Sequence, residues 1–80
     1  MTKVRIEWVD SYGAMPGWQE VEGFKPERLV VESIGYLVYE DKTVISIAQN
    51  YADETEYTPK QMNGVMTIPK ECIKNVEALR

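Results

Sequence analysis

Eighty residues carrying nine basic and thirteen acidic side chains, a formal net charge of −4 and no histidine make one domain, residues 1–80, and exclude several functions at once. Duplex nucleic acid is disfavoured as a partner because non-specific affinity comes from neutralising phosphates with Lys and Arg, and imidazole-based catalysis and zinc sites have no residue to carry them. An apolar fraction of 44% marks a folded chain, yet a domain this small buries only about 60% of its unfolded surface, so oligomerisation is expected. Nine Val and six Ile against three Leu and four Ala favour sheet over helix, since branched side chains fit a pleated surface.

In chain order, Val4, Ile6 and Trp8 alternate with Arg5, Glu7 and Val9, a half-buried first strand. Asp10 to Gly17 is broken by glycine and proline. Trp18 to Phe24 reads as an edge strand or an ordered loop, stopped by Lys25-Pro26, and Pro26 to Leu29 has the composition to open one helical turn. Leu29 to Glu40 is a long strand bent at Gly35, with Ile34, Tyr36 and Val38 on one face and Leu37 and Tyr39 on the other. A loop of three to four residues around Asp41-Lys42 returns the chain through Thr43 to Tyr51 as the next strand. Ala52 to Gly64 is polar and punctuated by Pro59 and Asn63-Gly64, and Val65 to Ile68 is the fourth major strand. Pro69-Lys70-Glu71-Cys72 predicts a single 3-10 turn, with Ile73 packed beneath it. Lys74 to Leu79 admits a helix or a strand, and closure against the first strand favours the strand.

These elements predict an all-β domain, a small closed barrel of five to six strands with one 3-10 turn before the last strand. The stretch from Gly35-Tyr36-Leu37-Val38 through Val44-Ile45-Ser46-Ile47-Ala48 to Ile68-Pro69-Lys70-Glu71-Cys72-Ile73-Lys74 resembles small proteins encoded by tailed bacteriophages and prophages. Trp8, Asp10, Gly17 and Trp18 near the front share that likeness. In pattern the same stretch resembles the last three strands and 3-10 turn of SH3-like and Sm-like barrels. The resemblance implies a small accessory protein made during infection, of a kind that binds a host factor or host signal, acting in the cytoplasm of the host cell. It carries no catalytic residue, and fold likeness alone does not assign function.

The residues point the same way on chemistry. Glu20 with Glu22, and Glu54 with Glu56, have the spacing of a solvated rim rather than of paired catalytic acids, and no Gly-rich phosphate loop occurs. Cys72 has no second cysteine to pair with and is read as a small core residue between Glu71 and Ile73. No stretch has the composition of a signal peptide or spanning helix. The chain is therefore read as non-enzymatic, without metal or cofactor.

Binding rests on the aromatic residues. Core packing accounts for Trp8, Phe24 and Tyr36. Tyr12 and Trp18 flank a Gly/Pro-rich loop and are candidates for a stacking platform or a protein anchor. Tyr51 and Tyr57 bracket the other long loop, where with Asn50, Gln49 and Lys60 they combine planar stacking, amide hydrogen bonding and a cation. A nucleotide-like ligand calls for that set, with Arg5, Arg28 or Lys60 meeting its phosphates. The expected site is thus Tyr12, Trp18, Arg28, Asn50, Tyr51, Tyr57 and Lys60, and the expected function is sequestration of a small nucleotide-like host defence signal in a pocket between subunits of a homo-oligomer. An acidic inhibitor or adaptor docking on a host or phage protein is the alternative, followed by an Sm-like ring binding single-stranded RNA.

Overall fold

A computed structural model describes residues 1–11 and 17–80. The fold is all-β: β1 (Lys3–Asp10), β2 (Leu29–Glu40), β3 (Val44–Ala52), β4 (Gln61–Pro69) and β5 (Ile73–Leu79), with a 3-10 turn at Lys70–Cys72 before the last strand. All pairings are antiparallel, in the order β4-β3-β2-β1-β5. The strand reading of residues 74–79 holds, because Val4, Arg5 and Ile6 pair with Ala78, Glu77 and Val76. No helix among the described residues is long and apolar enough to cross a membrane.

Three expectations need correction. The strands form an open sheet, not a closed barrel, and β4 and β5 remain as edges. Within it β2 gives Leu29 to Tyr36 to β1 and only Tyr36 to Glu40 to β3, so the sheet changes partners at Tyr36. Secondly, β4 begins at Gln61, within the stretch read as loop. Asn63 pairs with Asn50, and the Asn50 side-chain Nδ2 donates to Asn63 Oδ1 at 2.6 Å, so polar residues here serve a ladder that is wet on both sides. Gly64 allows it, with a φ of +66° and a position where a Cβ would stand 2.8 Å from the Gln49 amide oxygen. Thirdly, residues 18–24 take the loop reading rather than the edge strand and residues 26–28 form no helical turn, Leu29 already belonging to β2, which leaves five strands among the described residues.

The core is small and formed almost wholly of branched side chains. Val4, Ile6, Ile45, Ile47 and Ile68 make one buried cluster, against which Trp8, Leu37, Cys72 and Ile73 pack half-buried. Trp8 adds a polar tether, its indole N–H donating to Ser33 Oγ at 3.0 Å. A bulge between Leu37 and Tyr39 sets Leu37 opposite Ile47 but Tyr39 opposite Ser46. Leu37 and Tyr39 therefore face opposite ways rather than sharing a side. Gly35 is a point of close backbone approach, since a Cβ there would meet the Ala48 carbonyl oxygen at 2.8 Å.

The hairpin between β2 and β3 is held by Asp41. Its Oδ1 accepts from the Thr43 and Val44 amides at 2.7 and 3.0 Å and from the Thr43 hydroxyl at 2.9 Å, while its Oδ2 accepts from the Tyr39 phenol at 2.9 Å. These bonds, the Thr43 amide first, hold the carboxyl far below the usual carboxylate range. The turn needs no glycine because a side chain does the work that a left-handed backbone would otherwise do.

What the sheet fails to cover is as informative. The chain exposes 6782 Å², about 1,900 Å² more than the roughly 4,900 Å² expected for a compact monomer of its 9.2 kDa mass. Its radius of gyration is 17.2 Å, where a compact domain of this length has about 12 Å. Phe24, expected in the core, is 52% exposed, because residues 17–28 lie off the sheet and every one of them is exposed.

Candidate functional site

Beyond Ala48, β3 and β4 run on as a two-stranded extension past the end of the pairing of β3 with β2. Three of the sequence-derived site residues gather on it. Asn50 and Tyr51 line an open cleft of about 210 Å³ with Ala52, Gln61, Met62 and Asn63. On its other side Tyr51 joins Lys60, Gln61 and Met62 in a second cleft of about 210 Å³, closed by Val38 and Met1. Tyr51 is thus shared by both, with an amide pair on one flank and a lysine on the other.

Two residues of this neighbourhood escaped the sequence reading. Tyr36, assigned to the core, is half-buried and stands 5.9 Å from Tyr51 between ring centroids, at an interplanar angle of 40°. Lys3 places its Nζ 5.7 Å from the centre of the Tyr36 ring, within the range of a cation–π contact. The register explains the meeting: Tyr36 lies opposite Lys3 on β1 and opposite Ala48 on β3, so it faces the start of the extension that carries Tyr51. Counting back from the Asp41 turn would put Tyr36 across from Gln49; the bulge between Leu37 and Tyr39 moves it opposite Ala48, and no local signal announced that shift. For Lys3 no local signal existed.

The remaining candidates lie elsewhere. Trp18 is fully exposed at 102% and Tyr57 nearly so at 86%. Tyr57 belongs to a compact turn in which the Thr55 hydroxyl accepts from the Tyr57 and Thr58 amides at 3.1 and 3.0 Å. Arg28 is exposed just before β2, and Tyr12 lies outside the described residues. Arg5, considered for phosphate binding, is already engaged: its guanidinium contacts Glu32 at 2.7 Å and Glu7 and Glu77 at 3.5 Å each. Bonding to Glu32, above all, raises its pKa further.

The clefts offer the Tyr51 phenol ring, the Lys60 amine and the carboxamides of Asn50, Gln61 and Asn63, with the Tyr36–Lys3 pair beside Tyr51. Such a set can stack on a planar ring and neutralise an anion. Each cleft is smaller than the roughly 300–1,000 Å³ usual for small-molecule sites, so one protomer offers a wall rather than an enclosure. Among the described residues no group of three or more Cys, Asp or Glu side chains is placed to hold a metal ion. Comparisons with protein-family models, curated proteins and solved structures find no match to this chain.

Proposed function

We propose that this chain is a non-enzymatic binding module that, as a homo-oligomer, holds a small nucleotide-like anion against Tyr51 in a pocket completed between protomers. The observation that carries this reading is Tyr51, which shares with Lys60 a cleft too shallow to enclose a ligand alone and touches Tyr36, whose ring Lys3 approaches. Tyr51 supplies the stacking surface, Asn50 and Asn63 the edge recognition, and Lys3 and Lys60 the charge that meets phosphate. Trp18, Arg28 and Tyr57 contribute only where a neighbouring protomer brings them. In this reading the curled sheet is an SH3-like or Sm-like barrel left open along one seam. The resemblance to phage accessory proteins makes a host nucleotide signal, sequestered in the cytoplasm, the first ligand class to try.

The experiment is a thermal-shift screen of mono-, di- and cyclic nucleotides alongside light scattering. A ligand bound only by the folded state raises Tm, by about 2.7 kcal/mol of stability at a hundredfold excess over Kd. Tyr51→Ala and Lys60→Ala should each abolish the shift while the protein alone melts as before. A monomer that responds to no nucleotide would discard the proposal. One observation favours a second reading, an acidic adaptor docking on another protein: Trp18, Val21 and Phe24 stand exposed together on one segment, the kind of apolar patch that marks a protein contact.

A further inference from the structure

Asp10 and Leu29 sit opposite one another at the end of the β1–β2 ladder, where a hairpin is ordinarily closed by two to five residues. Here the chain instead runs out, and its described part, residues 17–28, makes no bond to the sheet. Trp18, Val21 and Phe24, at 102%, 91% and 52% exposure, are spaced three apart along it. Within the segment the Phe24 amide donates to the Val21 carbonyl at 3.4 Å, and Gly23 turns with a φ of +77°. Among the described residues, none of these three side chains packs on the buried core.

A receiving surface exists. From Leu29 to Gly35, β2 pairs with β1 on one side, and among the described residues no strand pairs with its other side, because β3 meets β2 only from Tyr36 onward. Between that free edge and the β3–β4 extension lies a groove of about 230 Å³ lined by Glu32, Ser33, Ile34, Ile47, Gln49, Gly64 and Met66. It is more enclosed than either cleft around Tyr51. At its base the Ser33 hydroxyl approaches Met66 Sδ at 3.9 Å, so the two walls touch there and part above.

We propose that the groove is filled by the Trp18–Phe24 segment of a second copy of this chain, and that the exchange is reciprocal, giving a two-fold dimer clasped by two arms. The free β2 edge offers unpaired N–H and C=O groups to an extended chain, while the groove and the neighbouring Ile34 and Met66, 56% and 40% exposed, receive the arm's apolar side chains. A contact between the same two surfaces on both partners closes on itself and leaves nothing over for further growth. The area agrees. Two chains each exposing about 1,900 Å² in excess carry between them about 3,800 Å², within the roughly 2,000–5,000 Å² of obligate homodimers. This inference rests on the assembly part of the function proposed above and not on its ligand.

Light scattering and sedimentation should find a dimer at tens of micromolar. Fluorescence of the wild type minus that of Trp18→Phe should show Trp18 in an apolar environment that becomes aqueous on dilution as the dimer dissociates. The arm variant Trp18→Ser/Phe24→Ser and the groove variant Met66→Glu, which sets a carboxylate against Glu20 and Glu22 of the arm, should each be monomeric. Their equimolar mixture should recover a dimer through the one intact arm and groove. A wild-type dimer unchanged in the arm variant overturns the arm exchange and leaves the functional reading standing. A wild-type monomer overturns both. Trp18 buried in a monomer at every concentration assigns the groove to the chain's own arm and likewise overturns the exchange. Since Trp18 and Phe24 contribute nothing to the protomer's core, the arm variant decides the matter even if Met66→Glu fails to fold.

Discussion

The two halves of β3 behave as if they belonged to different proteins. Ile45, Ser46, Ile47 and Ala48 are buried in succession, whereas Gln49 and Asn50 are exposed and Tyr51 is only half-covered. The near half has a strand on both sides, β2 and β4, with the isoleucine cluster beneath it. The far half has β4 alone. A strand's character here is set by its neighbours more than by its own composition. The near half makes the fold, and the far half, with Tyr51, presents chemistry.

That contrast can be broken most severely at Ile6 and Ile68, the largest fully buried side chains. Truncating either to Ala should cost about 2–5 kcal/mol in urea denaturation. Met62, half-exposed on the extension, should cost less than about 0.5 kcal/mol when changed the same way. Equal losses at the two places would mean that the halves fold as one unit already packed in the monomer. Gly35→Ala comes next, at about 1–3 kcal/mol, because the new methyl meets a backbone carbonyl of β3, which cannot step aside as a side chain would.

A smaller effect is expected from pH. Asp41 has its folded-state pKa depressed, so its contribution is complete above the unfolded value of about 3.9 and is lost as pH falls from there toward the much lower folded value. Tyr39 shifts upward, chiefly through its hydrogen bond to Asp41. Its contribution is present below about pH 10 and is lost as pH rises through the folded value. Asp41→Asn should flatten the acid limb measured by thermal melts between pH 2 and 5, and should also return the Tyr39 titration toward that of a free phenol. An unchanged acid limb would place the sensitive carboxylate elsewhere. Smallest of all, Trp18→Ala should leave the stability of the isolated protomer within about 0.5 kcal/mol of wild type, as measured at concentrations where association is absent.

Alternation made β1, the first stretch of β2 and the near half of β3 legible, because each buries one face or both and the burial dictates the side chains. The Pro69 turn was legible for a different reason: proline ends β4 at an edge, where its missing N–H costs nothing. The start of β4 was not, since Gln61-Met62-Asn63-Gly64 pairs without burying anything, and a strand wet on both faces leaves no apolar pattern to read. Closure was expected and is not seen: the five described strands form one open sheet in which β2 passes from β1 to β3 at Tyr36. The site was legible in part. Asn50, Tyr51 and Lys60 stood out by type and spacing, while Tyr36 was hidden by its place inside an apolar strand. Trp18 was legible as unusual, but its complete separation from the sheet was not.

The β1–β5 ladder joins Lys3 to Leu79, nearly the full length of the chain. Every other pairing is between strands consecutive in sequence and can form as soon as its connection closes. This one must wait until the two ends meet, and the entropy of that meeting is unrewarded until contacts between distant residues accumulate. Folding should therefore be slow for a chain of this length, with the last strand arriving last. The sheet can be completed only after β5 has emerged from the ribosome.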